Sequence, residues 1–344
     1  MSRFQAGNSR FRAYMRFIVA VLWFFLARAL AHRGALGMAN EQFAPLIEQA
    51  MLLFLLLLGY AWMGFALDRE QHPVSAQGLP RRTDWRGEAG LGLAVGWAMA
   101  VACVLTMIVG GGIAIVLVLG PSAWGWLAAD AAFFALAALA EEIAFRGYGF
   151  QRLEQSVGPL GAVLGYAAFY AIMQALVPGS SRASVFVSIA LSLLLSTAYL
   201  RSRALWVSWG INFGWKASRA LVFGLAICGV NSHSPVVQGN PMGPFWLTGG
   251  GYGLDSSWVA FVVLLIALPA VYRLTRELDY RWNAPVIVPG GIPVDLDAAT
   301  RSQHEAAMGT AEPAAPSLVQ ILPAATPSPA NLELPSAKQP PATG

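Results

Sequence analysis

Eight long apolar segments restrict the fold of this chain more than any other feature. They lie at about 14–32, 46–67, 89–119, 124–153, 157–177, 184–200, 204–227 and 256–274. Runs of this length are typical of helices that cross a bilayer. Only 12% of the 344 residues are charged, whereas about a quarter are charged in soluble domains. The sequence therefore predicts an all-α fold, a polytopic membrane helix bundle of about eight transmembrane helices.

The positions of arginine and lysine predict how these helices are oriented in the membrane. Most basic residues fall in segments that would share one side: the N-terminal segment, the 68–88 loop, the turn near Arg152, the Arg201/Arg203 turn and the stretch after Arg273. The 120–123 link and the 228–255 loop carry no Lys or Arg. Since basic loops remain cytoplasmic, we predict an integral protein of a bacterial-type plasma (inner) membrane with both termini cytoplasmic. A cleaved signal peptide in the first apolar run is the less favoured alternative.

Two adjacent acids, Glu141 and Glu142, lie inside the apolar run AAFFALAALAEEIAFRGYGF, with Arg146 one helical turn beyond them. Charged residues inside a membrane are costly and usually functional. Glu142 and Arg146 have the i, i+4 spacing that favours an ion pair. That pair leaves Glu141 beside a second negative charge in a medium of low dielectric, where a carboxylate is a candidate general base. A buried ion pair that only fixes helix packing is the alternative.

Three further polar residues, Gln174, Asn212 and Lys216, fall within predicted membrane helices. Counting at about 1.5 Å per residue from the arginine turns, we expect them at depths similar to that of the glutamates. Asn212 and Lys216 share a helix face, and a buried lysine needs a partner, for which Glu141 is the nearest candidate in depth. Gln and Asn also join membrane helices without any other role. We predict one polar cavity that opens toward the cytoplasmic leaflet.

Several classes of function have little support in this composition. No basic stretch with interleaved aromatic residues is typical of a nucleic-acid-binding face. Cys103 and Cys228 are expected to be buried free thiols. The four histidines are predicted to lie in loops or in the tail: His32, His72, His233 and His304. A histidine-ligated metal site within the membrane is therefore not expected. We expect no cofactor, with a divalent metal at the carboxylates as the alternative.

The block from Glu141 to Tyr148, EEIAFRGY, is similar to the first motif of the CPBP (ABI) membrane endopeptidases. This family includes the type II CAAX prenyl-protein proteases. The resemblance extends from the basic 78–88 segment to about residue 257, through the landmarks LW, GINFGWK and LTGGGYGLD. It implies an intramembrane endopeptidase that hydrolyses a membrane-proximal peptide bond of a membrane-anchored or lipidated peptide. By the same resemblance Glu141 activates water, and Glu142 with Arg146 supports it.

The later motifs of that family are altered in this chain. The second motif, FxxxH, reads Tyr170-Ala-Ile-Met-Gln174, and the third, HxxxN, reads Asn212-Phe-Gly-Trp-Lys216. Both motif histidines are therefore replaced by amides, and the asparagine by lysine. We expect a catalytic site at six residues: Glu141, Glu142, Arg146, Gln174, Asn212 and Lys216. A catalytically degenerate member that binds membrane peptides or acts as a scaffold is the first alternative, and a transporter is the second.

Three regions are predicted along the chain. Residues 1–77 hold two transmembrane helices and a basic loop, and residues 78–275 form the core that resembles the CAAX proteases. Residues 276–344 form a cytoplasmic tail that is rich in proline and alanine and largely disordered.

Overall fold

Helices dominate the computed structural model, which describes residues 3–232, 234 and 236–283. In chain order they are α1 Arg3–Met38, α2 Ala44–Asp68, α3 Pro73–Ala76, α4 Trp85–Gly110, α5 Pro121–Arg146, α6 Tyr148–Val157, α7 Pro159–Ala175, α8 Arg182–Ser202, α9 Leu205–Ala217, α10 Phe245–Thr248, α11 Trp258–Leu274 and α12 Arg276–Trp282. The regular elements of the described residues also include strands β1 Ile113–Leu117 and β2 Val237–Pro241, a π-helical turn Ser218–Val222, and two 3-10 turns, Gly250–Tyr252 and Leu254–Ser256. This architecture confirms the predicted all-α membrane bundle.

Within the described residues, the long membrane helices are fewer than the predicted eight. Five helical segments are long and apolar enough to cross a membrane, or six if α11 and α12, which meet at a 50° bend, form one span. The predicted spans at 157–177 and 204–227 correspond to shorter helices, α7 with 17 residues and α9 with 13. Helix α9 packs between α4, α5 and α8, whereas α7 packs on α6 and α8 and leaves Leu160, Leu164 and Ile172 exposed.

The predicted C-terminal ends of two helices were wrong. The run at 89–119 is helical only to Gly110, and Ile113–Leu117 instead forms an antiparallel pair with Val237–Pro241. Gly112, at φ 92°, turns the chain out of the helix. The run at 204–227 is helical only through Val222. There the chain turns at Gly224, whose φ is 62° and whose carbonyl accepts a hydrogen bond from Gly239 N at 3.0 Å.

The arginine-bearing loops meet at one end of the bundle, which we call the arginine-rich end. Asp68 at the end of α2 forms ion pairs with Arg16 of α1 and Arg152 of α6. Arg203 binds Glu154 of α6 at 2.8 Å, and Arg82 donates to the carbonyl oxygen of Ser202 at 2.8 Å. The predicted grouping of these loops is therefore present in the fold.

The opposite end of the bundle, which we call the distal end, is formed by the connections that lie away from the arginine-bearing loops. It contains the β1–β2 pair, the α7–α8 turn and the segment 223–257. Asp130 of α5 accepts a hydrogen bond from Ser234 N at 2.8 Å, which ties this segment to the bundle.

The helical core continues past the predicted boundary at residue 275. Helix α12 packs on α8, where Arg201 binds Asp279 at 3.0 Å, and Trp282 stacks under the guanidinium of Arg82 at 3.8 Å. The rest of the predicted tail, residues 284–344, lies outside the described residues.

Glycines let α4 and α9 pack with their backbones in contact. A Cβ at Gly92 would lie 2.9 Å from the backbone nitrogen of Ile211 and 3.0 Å from Cα of Gly210. Gly96 meets Gly214 in the same way one turn further along. Small residues at this spacing are typical of close helix pairs in membranes. The contact seats α9 against both α4 and α5, and so it positions Asn212 and Lys216.

We expect Gly92→Leu to separate α4 from α9 and to destabilise the protein by about 1–3 kcal/mol. The matched control is Gly90→Leu on the same helix, because a Cβ at Gly90 meets no atom within 4 Å. Thermal unfolding of both variants in detergent should show a lower midpoint for Gly92→Leu alone. Equal midpoints would contradict a close helix contact at Gly92.

Candidate active site

The two glutamates of α5 have different surroundings. Successive residues of a helix point about 100° apart. Glu142 faces the interior between α8 and α9, where its side chain is fully buried. Glu141 faces a cavity and retains 31% of its side-chain exposure. Only Glu141 can therefore meet a water molecule or a substrate.

Glu142 is paired with Arg146, as the i, i+4 spacing predicts. Their closest nitrogen and oxygen lie 3.6 Å apart, and both side chains are fully buried. Arg146 also donates to the carbonyl oxygen of Ser192 at 3.1 Å and to its hydroxyl at 3.2 Å. The ion pair offsets the two buried charges, and the bonds to Ser192 anchor the end of α5 to α8.

Asn212 and Lys216 of α9 reach the glutamates from the opposite side. The Asn212 amide donates to Glu141 Oε2 at 3.0 Å and to Glu142 Oε1 at 3.1 Å. The Lys216 ammonium donates to Glu141 Oε1 in a close ion pair. The predicted contact between Lys216 and Glu141 is therefore present. Both oxygens of Glu141 accept a hydrogen bond from α9.

Gln174 lies in the last turn of α7, on the same cavity as Glu141. Its amide donates to the hydroxyl of Tyr252 at 2.7 Å. Among the described contacts this bond ties Gln174 to the segment 223–257 and not to either glutamate. The fold thus brings five of the six predicted residues into one cluster, four joined by hydrogen bonds and Arg146 by its ion pair with Glu142, and places Gln174 on the wall of the adjoining cavity.

The cavity beside Glu141 has a volume of about 260 Å³. Both polar and apolar side chains line it. Its wall is formed by Gln49, Phe133, Phe134, Ala137, Glu141, Tyr170, Gln174, Ser184, Val187, Ser188, Leu191, Lys216, Arg219, Ile227, Cys228 and Asp255.

The cavity lies in the distal half of the bundle. The predicted opening toward the cytoplasmic leaflet stays a prediction. The lining includes the last turns of α7 and α9, the first turn of α8, and the segment 223–257, all of which belong to the distal half. The space arises because α7 and α9 are short, and the segment 223–257 covers it.

A second ion pair on the cavity wall was missed by the sequence reasoning. Arg219, in the π-helical turn after α9, donates to Asp255 Oδ1 at 2.7 Å. Asp255 Oδ2 accepts from the backbone nitrogen of Cys228 at 3.1 Å. Burial, and then the charge of Asp255, raise the pKa of the Cys228 thiol to about 11. Asp255 is the only acid in the 228–255 loop, a signal that would have singled it out.

The donor set at the glutamates does not fit a transition metal. The described residues contain no group of three His, Cys, Asp or Glu side chains placed to hold a metal ion. The glutamate oxygens face an amide, an ammonium and a guanidinium, which are donors and not ligands. Zinc in proteins takes three or four nitrogen, sulfur or carboxylate ligands.

The part of the chain that carries the site is similar to a known family. Residues 121–218 match the family model described as Rce1-like: Type II CAAX prenyl endopeptidase Rce1-like. The match begins with α5, ends in the π-helical turn and contains all six predicted site residues. It confirms the resemblance to the CAAX proteases. No curated protein and no solved structure matches the chain.

Proposed function

We propose that this membrane protein, whose residues 121–218 match the model of the Rce1-like type II CAAX prenyl endopeptidases, hydrolyses a peptide bond of a membrane-anchored or lipidated peptide. The observation that carries the proposal is the position of Glu141. Its carboxylate lies on the wall of a polar cavity, and its oxygens accept hydrogen bonds from Asn212 and Lys216. Both termini are proposed to lie in the cytoplasm of a bacterial-type inner membrane, from the distribution of arginines.

In this reaction Glu141 acts as the general base. It takes a proton from a water molecule in the cavity, whose oxygen bonds to the carbonyl carbon of the substrate. The carbonyl oxygen then carries negative charge, and the ammonium of Lys216 is the nearest cation to stabilise it. When the carbon–nitrogen bond breaks, Glu141 returns its proton to the departing amine. The peptide leaves as a carboxylic acid and an amine.

Buried residues next to Glu141 hold the catalytic groups in position. Arg146 compensates Glu142, and Glu142 accepts one of the two amide protons of Asn212. The other amide proton is thereby directed at Glu141. Gln174, whose amide nitrogen donates to Tyr252, lies on the cavity wall and orients the substrate or the water without exchanging a proton. Amides do not titrate, so the two replaced histidines contribute no proton transfer.

A cleavage assay of the purified protein in liposomes tests this proposal. A library of peptides, each anchored by a single apolar helix or by a lipid, provides the substrates. We expect Glu141→Gln to lower the cleavage rate by about 10²–10⁴-fold, the usual contribution of a general base. Glu277→Gln, an exposed acid on α12, is the control and should cleave at the normal rate. Equal rates for both variants would refute a role of Glu141 as base.

The pairing at Glu141 favours one alternative, a protein that binds membrane peptides without cleaving them. Asn212 and Lys216 already engage both Glu141 oxygens, and Tyr252 engages Gln174. Such a protein would bind anchored peptides in the same cavity but release them intact. Wild type and Glu141→Gln would then both show binding and no products in the liposome assay.

A further inference from the structure

We infer that the β1–β2 pair is a lipid-binding surface that lies in the membrane interface at the distal end, with the side chains of β1 inserted among the upper acyl chains. The partner of this surface is the bilayer, and the inference does not depend on the proposed hydrolysis. It is carried by an exposed apolar strand between two membrane helices, by the length of α4 and by the aromatic residues around the strand pair.

Strand β1 and the two residues after it are apolar on both faces. Residues 113–119 read Ile-Ala-Ile-Val-Leu-Val-Leu, and successive side chains of a strand point to opposite sides. A strand with one face in water normally alternates apolar and polar residues. Here five successive aliphatic residues are exposed: Ile115 by 44%, Val116 by 57%, Leu117 by 62%, Val118 by 40% and Leu119 by 67%. A continuous apolar patch of this kind marks a surface that contacts a partner or a membrane.

The polar side chains of the pair lie on β2, the strand nearer to the rest of the protein. Val116 lies opposite Gln238, and Ala114 lies opposite Asn240. On its other edge β2 is held by a hydrogen bond from Gly239 N to the carbonyl oxygen of Gly224 at 3.0 Å. The described sheet has two strands, so the outer edge of β1 has no strand partner among the described residues. The apolar strand is therefore the outer one.

The length of α4 places β1 at the boundary of the hydrocarbon. The chain from residue 89 to residue 129 contains no Asp, Glu, Lys, Arg or His. Its helical part, residues 89–110, is about 33 Å long at about 1.5 Å per residue, slightly more than the hydrocarbon thickness of about 30 Å. Glu88 precedes this part at the arginine-rich end, where it pairs with Arg82. Gly110 is thus expected where the hydrocarbon ends on the distal side.

The exposed surface of α4 continues into β1 without a polar break. Three aliphatic side chains in the last two turns of the helix are exposed: Leu105, Ile108 and Val109. Since α4 is long and apolar enough to cross the membrane, these side chains face lipid. A second copy of this chain could instead pair with the free edge of β1. The continuity with a lipid-facing helix favours the bilayer as the partner.

The backbone and the aromatic residues restrict the depth of β1 to the interface. Unpaired N–H and C=O groups of a sheet edge are not tolerated in the hydrocarbon, because no water reaches them there. Exposed Trp124 in the first turn of α5 and exposed Trp246 of α10 flank the strand pair. Helix α10 lies beside the end of α4, where a Cβ at Gly110 would meet Leu247 Cδ2 at 2.7 Å. Tryptophan is enriched at the interface, where apolar side chains reach lipid while the strand edge reaches water.

The fluorescence of an environment-sensitive nitrobenzoxadiazole label on single cysteines tests the inference. The background is Cys103→Ala/Cys228→Ser, which removes both native cysteines, and the probes are Val116→Cys and Leu117→Cys, which point to opposite faces of β1. The full chain is reconstituted into vesicles of phosphatidylcholine and phosphatidylglycerol. A nitroxide-labelled phosphatidylcholine quenches the label at close range, and the nitroxide is carried either near the headgroup or near the end of the acyl chain.

Two exposed positions serve as matched controls. Ala98→Cys lies near the middle of the apolar run of α4, and Glu277→Cys replaces a charged residue of α12. We expect Ala98→Cys to lose more fluorescence with the deep nitroxide, and Glu277→Cys to emit at long wavelength with little loss from either lipid. Both probes on β1 should emit at shorter wavelength than Glu277→Cys and lose more fluorescence with the shallow nitroxide than with the deep one.

Three results would overturn the inference. Emission and quenching of the β1 probes equal to those of Glu277→Cys would place the strand in water. Short-wavelength emission that neither nitroxide reduces would show that protein, such as a second copy of the chain, covers β1. Stronger quenching by the deep nitroxide would place the strand in the hydrocarbon. None of these readouts depends on cleavage, so they leave the proposed reaction untouched.

Discussion

Replacing Arg146 with leucine is expected to destabilise the protein by about 3–5 kcal/mol, the usual result of removing one partner from a buried ion pair. The change leaves the Glu142 carboxylate, fully buried, without its counter-charge. It also removes the two hydrogen bonds to Ser192 that join α5 to α8. Chemical unfolding in detergent, followed by tryptophan fluorescence, measures the loss.

Two controls separate the buried charge from a general effect of losing an arginine. In Glu142→Leu/Arg146→Leu no charge is left uncompensated, so we expect this double variant to be more stable than Arg146→Leu. Arg203→Gln removes an ion pair at the surface, where Arg203 is 41% exposed, and should cost about 0–1 kcal/mol. If Arg146→Leu unfolds at the same denaturant concentration as wild type, Glu142 does not carry a buried charge.

Lys216→Met is expected to lower the rate of peptide cleavage by about 10²–10³-fold, because it removes the cation that stabilises the oxyanion. Lys216 is the only ammonium in contact with Glu141 among the described residues. Methionine retains much of the length and apolar character of the lysine side chain. The loss should therefore appear in kcat with little change in KM, as expected for an interaction made in the transition state.

The opposite outcome has an equally clear meaning. A rise in cleavage with Lys216→Met would show that the lysine silences Glu141 by pairing with it. The triple variant Gln174→His/Asn212→His/Lys216→Asn restores the motif residues of the resembling family. Cleavage by this variant alone, with none by wild type, would identify the chain as a degenerate enzyme that binds peptides.

Most of the site was predictable because its residues are anomalous in an apolar sequence. An acid pair and a lysine inside membrane helices must be compensated, and i, i+4 spacing identifies Arg146 and Glu142 as partners. The partner of Gln174 could not be predicted in this way. An amide has many acceptable partners, and its bond to Tyr252 crosses 78 residues of chain.

The ends of the helices were less predictable from the sequence than their central parts. Apolar runs show where a chain enters lipid but not where its backbone stops being helical. Residues 113–117 are as apolar as the helix before them, yet they form a strand because a partner at 237–241 supplies the hydrogen bonds. That partner is visible only in the folded chain.

By itself, the sequence determined the membrane class, the grouping of the arginine-bearing loops at one end of the bundle and the pairing of Glu142 with Arg146, since each follows from the cost of charge in lipid and from local spacing. The tertiary structure decided which groups face the cavity and in which half of the bundle it lies. Those depend on where α7 and α9 end, on the glycine contact that seats α9, and on Asp255, which folds back onto Arg219 across 36 residues. Such contacts are set by packing between distant segments, and no local pattern encodes them.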